Sequence, residues 1–376
     1  MEPMVEPTEI EKWMRHSEDN PGVLNLAHSH CSSISLEGLV QFDTRRPQDN
    51  RKQRESSHRN PLDLGAILTG NTHRTSRELR NRIAELYGRG PKRQVRTENV
   101  IVTSGGEQAI DLIFNKLIQP SDHVISMIPN SEHLRNKPKH LGCKFTRWMI
   151  VISNPIIPTG VTIPKDVLKA IVEVARHHDA ILVSYEAWRP LFLTQPRPPS
   201  VATLDWIKTI AISSVSEVWG LSGVQIGWIA SPDRECIEWL ADRYSSNHVS
   251  RLDVQVALYA MHPSVRPHLL SRSIDLAKCN MELLSQFVNV HHQVSWVKPT
   301  AGTTAYLQFR EKGSHEPVDD QDFCQSLLRN DNVLLMPGSL DGWTYQSRGY
   351  VRINHVCNTK KLKRALKLLS QYLKER

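Results

Sequence analysis

Residues 208–231, KTIAISSVSEVWGLSGVQIGWIAS, constrain the fold of this chain more than any other stretch. The apolar run 209–212 ends in the hydroxyls of Ser213, Ser214 and Ser216, turns through Gly220 and Gly223, and resumes as an apolar segment over 226–230. This order reads as strand, polar turn, strand, with the turn as the place for a site.

A second unit lies upstream. Residues 100–102 are a buried strand, Ser104, Gly105 and Gly106 a tight turn, and Ala109, Leu112, Ile113 and Leu117 the apolar face of a helix. A glycine turn at a helix N-terminus presents unpaired backbone N–H groups and the positive end of the helix dipole, which suits a phosphate or carboxylate.

Around these units strands and helices alternate. Strands are expected over 123–128, 149–153 and 180–184, the last followed by Tyr185, Glu186, Ala187 and Trp188. Between them lie the NPIIPTG turn at 154–160 and a helix from Pro164 to His178. Such alternation predicts an α/β fold with a mostly parallel sheet covered on both faces. Helical periodicity fills 252–288. Strand-like pieces at 294–297, 304–309, 333–336 and 350–353, a helix near 323–328, and a closing helix with a Leu362, Leu366, Leu369, Leu373 stripe predict a smaller α+β domain.

The expected organisation is an N-terminal segment (1–45), a large domain (46–260) and a C-terminal domain (261–376). In the first, Thr8 and Glu11 form a capping box for a helix carrying Ile10, Trp13 and Met14, and Ser35 caps a second. Residues 45–59 are charged and aperiodic and read as an exposed loop or linker, and Leu79, Ile83 and Leu86 mark a helix stopping at Gly88.

Composition narrows the class. A chain of 376 residues that is 39% hydrophobic and 23% charged reads as soluble and globular. It shows no membrane-length apolar run and no signal-peptide pattern, so a cytoplasmic protein with no membrane partner is expected. Six cysteines without a C-x-x-C pair indicate neither a zinc site nor a disulfide framework. The net charge of +8 is dispersed without interleaved aromatics, which predicts a solvated surface and no nucleic-acid partner.

Four motifs occur in order: S-G-G-E-Q-A at 104–109, N-P-x-x-P-T-G at 154–160, S-x-S-x-x-x-G-L-S-G-x-x-I-G at 214–227, and V-R-I at 351–353. Together they resemble the fold-type I, class I/II aminotransferases, which depend on pyridoxal phosphate (PLP). The resemblance implies a homodimer, an N-terminal segment crossing the mouth of the site, and a 104–106 turn holding the cofactor phosphate. It also implies that Arg352 grips a substrate carboxylate bidentately, against which stands an ordinary structural ion pair. Residues 72–80, THRTSRELR, resemble a subgroup containing capreomycidine-synthase-like enzymes. His73 falls where the family has a loop reaching across the dimer interface.

Matched residue by residue, the cofactor shell departs from the family. Its lysine is Glu217, its pyridinium aspartate Tyr185, the following tyrosine Trp188, the second asparagine Ile157, the phosphate arginine Gln225, the ring-stacking aromatic Ser131, and a further tyrosine Leu64. Charge-assisted hydrogen bonds contribute about 1.5–3 kcal/mol each, so losing the aspartate and arginine side chains weakens cofactor binding by roughly a thousandfold. Region 129–154 is also short where the family fits another strand and helix, which implies a pared-down unit or a truncated chain.

The expectation drawn from these departures is a chain with no cofactor and no metal, a PLP-independent enzyme on an aminotransferase scaffold. It would perform acid–base cyclisation, isomerisation or condensation of a carboxylate-bearing, amino-acid-derived intermediate. Glu217 is the candidate general acid/base, against a solvated glutamate left by drift, with Tyr185, His28 and His30 as proton-transfer partners. Two histidines one residue apart in a strand share a face. Arg352, Trp188, Ser214, Ser216, Ser104, Gly105, Gly106, Asn154 and His73 are the candidate substrate-binding residues; Tyr185 and Trp188 either line the pocket or refill vacated volume with core. Two other readings stand beside this one: a catalytically dead paralogue that regulates or heterodimerises with an active aminotransferase, and a divergent PLP-binding aminotransferase.

Overall fold

The computed structural model describes residues 8–15, 20, 22–45, 73–88, 94–119, 122–130, 134, 137–138, 148–244, 249–340 and 347–375. The charged stretch expected to be a loop lies, after Arg45, outside the described residues, as do Ser131, Leu64 and most of the short region after Asn130.

Three small elements open the chain: α1 (Glu9–Met14), β1 (Leu24–Asn25) and α2 (Leu36–Val40). The capping box forms as the sequence predicts. The Glu11 N–H donates to Thr8 Oγ1 at 3.2 Å, and the Thr8 N–H donates to Glu11 Oε2 at 2.7 Å. Ser35 caps α2 through the Gly38 N–H at 3.0 Å. Helix α3 (His73–Tyr87) stops where Gly88 takes φ +64°, a left-handed conformation that L side chains avoid.

The central sheet contains β2 (Val100–Thr103), β3 (His123–Ser126), β4 (Trp148–Ser153), β5 (Ile181–Tyr185), β6 (Thr209–Ser214) and β7 (Gly227–Ala230). Its order is β2-β7-β6-β5-β4-β3; β3 to β6 run parallel, and β7 is antiparallel to both neighbours. The fold is thus mixed α/β around a mostly parallel sheet. The cause is visible in the residues: β2 and β6 are buried along their whole length, as continuous apolar runs covered on both faces must be.

Helices α4 (Gly105–Leu117), α5 (Lys165–His177), α6 (Arg234–Ala241), α7 (Arg251–Ala260) and α8 (Arg266–Val290) accompany this sheet. Helix α5 buries Leu168, Val172 and Ala175, spaced four and three residues apart on one face. The helical stretch expected over 252–288 is two helices, because the chain turns at 261–265, where Pro263 interrupts it.

A second, antiparallel sheet of order β11-β12-β9-β8 follows, with β8 (Val294–Trp296), β9 (Thr304–Phe309), β11 (Met336–Pro337) and β12 (Tyr350–Asn354). Helix α9 (Asp320–Asp331) and β10 (Val333–Leu334) lie between β9 and β11, and α10 (Thr359–Glu375) buries its leucine stripe to close a separate core around Phe309 and Phe323. The strand expected over 333–336 divides in two. Val333 and Leu334 pair in parallel with β1, whereas Met336 and Pro337 pair with β12.

No described helix is long and apolar enough to cross a membrane. Among the described residues no group of three or more His, Cys, Asp or Glu side chains is placed to hold a metal ion.

Candidate functional site

At the ends of β2 and β6 the chain makes two turns that meet. Thr103 Oγ1 donates to the Gly105 carbonyl at 2.8 Å, Gly105 takes φ +86°, and α4 starts at once. Gly227 faces this start from β7. A Cβ there would lie 2.3 Å from the carbonyl carbon of Gly105, so only glycine lets β7 and the α4 N-terminus touch.

Beyond β6, the Ser214 hydroxyl bonds Glu217 Oε2 and accepts the Ser216 N–H at 3.1 Å. From the end of β5 the Tyr185 hydroxyl donates to Glu217 Oε1 at 3.0 Å. Tyr185 also borders the other turn, since a Cβ added at Gly106 would stand 2.7 Å from its hydroxyl. Trp188 packs edge-on against Tyr185, ring centroids 5.4 Å apart, and donates Nε1–H to the Ser29 carbonyl at 2.9 Å.

The N-terminal segment runs along this site as a strap, held mostly by its own backbone, with Ser29 lining the cavity. Arg352, in β12, donates to the Ala27 carbonyl at 2.8 Å; Asn354 donates to the His30 carbonyl at 2.7 Å; and the Cys31 N–H donates to the Glu217 carbonyl at 2.5 Å. A cavity of about 400 Å³ lies beneath, lined among others by Ser104, Gly106, Ser216, Glu217, Tyr185, Trp188 and Arg352.

Burial pushes the Glu217 carboxyl above the ordinary carboxylate range, while hydrogen bonds from Ser214 and Tyr185 and the nearby His30 pull it partly back. Burial, and then the Glu217 charge, push the Tyr185 phenol well up. His28 is pulled down to about 4, first by burial and then by His30, Lys361 and Arg352, so it is neutral at pH 7.

Glu217, Tyr185, Trp188, Ser216, Ser104, Gly106 and Arg352 therefore meet at one cavity, with Gly105 in its turn. Ser214 acts on Glu217 instead of lining the space. Asn154 is a correction: its amide is buried and bonds the backbone of Ile163, at 2.9 Å from that N–H, so it closes the 154–163 turn. His28 and His30 lie side by side with tilted rings, centroids 4.7 Å apart, yet they sit in the irregular strap and Ser29 between them faces the cavity. His73 begins α3, and its side chain lies outside the described residues.

The cavity also contains residues that sequence reasoning missed. Thr8, the cap of α1, and Ile10 and Glu11 within it line the cavity, as do Glu107, Asn130 and Ser222. The only signal for α1 was its capping box, which locates a helix but not what the helix covers. Glu107 stood in the S-G-G-E-Q-A motif itself, one residue past the glycines.

The profile of the family described as aminotransferase class I and II matches residues 55–149 and 146–369. A probable N-acetyl-LL-diaminopimelate aminotransferase of Bacillus subtilis is 26% identical over 298 residues, covering 73% of each chain. A PLP-dependent aminotransferase from Streptococcus suis superposes with a TM-score of 0.82 at 26% identity, covering 99% of both chains. The PLP-dependent cyclase OrfR shares the fold, with a TM-score of 0.83 at 22% identity over 100% of this chain and 99% of that one.

These relatives overturn the expectation of a chain without a cofactor and point to PLP. The expectation gave the replaced side chains more weight than the backbone turn it had itself read as suited to a phosphate. That turn fits the phosphate: Gly105 and Gly227 keep the α4 N-terminus clear of Cβ atoms, and Ser104 and Gly106 open onto the cavity. Among the cavity's described lining residues there is a carboxylate at Glu217 and no lysine, so these residues fit the group without a covalent bond.

Proposed function

The chain belongs to the aminotransferase class I and II family, and from that premise we propose that it is a divergent member that binds PLP reversibly and acts on an amino-acid-derived carboxylate. The observation that carries the reading is one cavity that joins the 104–106 turn, Glu217 and Arg352. When bound, PLP supplies an electron-withdrawing ring beside the substrate nitrogen.

The chain's own residues do the rest. Arg352, fixed in β12 and buried, holds the substrate carboxylate through guanidinium geometry. Glu217 takes and returns a proton at its carboxyl oxygens, with Tyr185 and Ser214 fixing their direction. The strap and α1 line the cavity beside these groups, and the part-buried setting strengthens both interactions.

Titrating the protein with PLP while following absorbance and tryptophan fluorescence tests this. We expect saturable one-to-one binding that dialysis reverses and that borohydride does not fix. No saturable binding, or a stoichiometric lysine adduct, overturns it.

A further inference from the structure

Acidic side chains outnumber basic ones among the described residues that line the cavity. Glu11, Glu107 and Glu217 line it beside Arg352. Two hydroxyls donate to Glu217, from Tyr185 at 3.0 Å and from Ser214. Hydroxyl donors occupy one lone pair on each carboxylate oxygen and leave the charge uncompensated; a carboxylate in a partly desolvated wall is stabilised most by a cation that also donates.

The anion turn opens onto the same cavity, and the Tyr185 hydroxyl borders both Gly106 and Glu217. The turn and the carboxylate therefore stand on either side of a single hydroxyl oxygen. A ligand that satisfies both carries a phosphate and a primary amine on neighbouring positions of one small framework.

Building on the reading that this chain binds the family cofactor, we infer that Glu217 selects its amine form, pyridoxamine 5′-phosphate, over the aldehyde, with the ammonium on Glu217 and the phosphate on the 104–106 turn. A lysine-bearing relative supplies the amine and takes the carbonyl. This chain supplies a carboxylate, which an aldehyde oxygen meets lone pair to lone pair and an ammonium meets with donors. The cation also offsets the burial that favours a neutral Glu217.

Calorimetric titration of the full chain with pyridoxamine phosphate, pyridoxal phosphate and pyridoxine phosphate tests the inference; the last has a hydroxyl where the amine would be. One charge-assisted hydrogen bond predicts that the amine form binds about tenfold tighter than either other form, or more. Glu217→Gln should abolish the preference, and Glu217→Lys should reverse it and allow borohydride to fix the aldehyde form at position 217. Aldehyde or alcohol binding as tight as the amine, or a preference that survives Glu217→Gln, overturns the inference while cofactor binding stands. Failure of all three to bind overturns both. The wild-type ranking needs no variant, so a misfolded Glu217→Gln would leave the result decided.

Discussion

The two walls of the cavity are built by different means. The 104–106 turn is made of backbone: a left-handed glycine, a helix N-terminus, and the contact with Gly227. The arc from Tyr185 to Glu217 is made of side chains, a phenol and a carboxylate with a hydroxyl behind them. The first wall depends on glycines and main-chain geometry, the second on the identity of each side chain. A wall made of main chain survives sequence change because its donors exist whatever residues carry them, provided no Cβ intrudes. A wall made of side chains changes chemistry with each exchange.

The hardest blow to this contrast is aimed at the first wall. Gly227→Ala puts a Cβ 2.3 Å from Gly105 backbone atoms, and neither backbone can yield. A loss of about 4 kcal/mol or more is expected in denaturant melts, while Glu217→Gln melts near wild type. A Gly227→Ala protein as stable as wild type would remove the contrast.

Acid probes two histidines, one in the strap and one just past β12. His28 and the fully buried His355 are pulled down to about 4 and about 3, burial being the leading cause for each. Both pKa values fall on folding, so the unfolded chain binds more protons between pH 6.5 and 3. Their contribution is complete above pH 6.5 and lost as pH falls, by up to roughly 5 kcal/mol for His355 at about 1.4 kcal/mol per unit. Unfolding free energies at pH 7 and pH 4 check this, and His28→Asn should flatten the part between 6.5 and 4.

Arg352→Lys sharpens the contrast at the substrate end. A point charge replaces a fork, and affinity for a carboxylate ligand should fall ten- to a hundredfold with little change in melting. Unchanged affinity in calorimetry would assign Arg352 to the strap alone, through Ala27.

The smallest effect is expected from Tyr185→Phe, about 1 kcal/mol for the lost hydrogen bond to Glu217. That donor favours the ionised carboxyl, so its removal pushes Glu217 further up. A raised carboxyl stabilises the fold below its unfolded pKa and loses that contribution as pH rises through its folded value. The variant should therefore extend the declining limb to higher pH in a stability titration.

Much of the fold was legible because local rules sufficed. The β2 and β6 runs, the α5 face of Leu168, Val172 and Ala175, and the Thr8–Glu11 box each follow from patterns within a few residues. Pro263 carried the signal for the break between α7 and α8, and the long apolar period hid it. The split at Leu335 was not legible: its carbonyl accepts Trp13 Nε1–H across 322 positions while its neighbours pair with different sheets. At the site, motif spacing placed Glu217, Tyr185 and Arg352 on one cavity, yet it could not tell that Asn154 turns inward to Ile163. Spacing fixes where a backbone goes; the direction of a side chain is decided by neighbours distant in sequence.

The amide of Cys31 holds the carbonyl of residue 217 regardless of what that residue carries. Such a position works as a socket. Foreign groups installed there, including non-natural amino acids, would inherit one placement, so differences between them would report their own reactivity, which makes this molecule a usable blank for building catalysts by exchange at a fixed point.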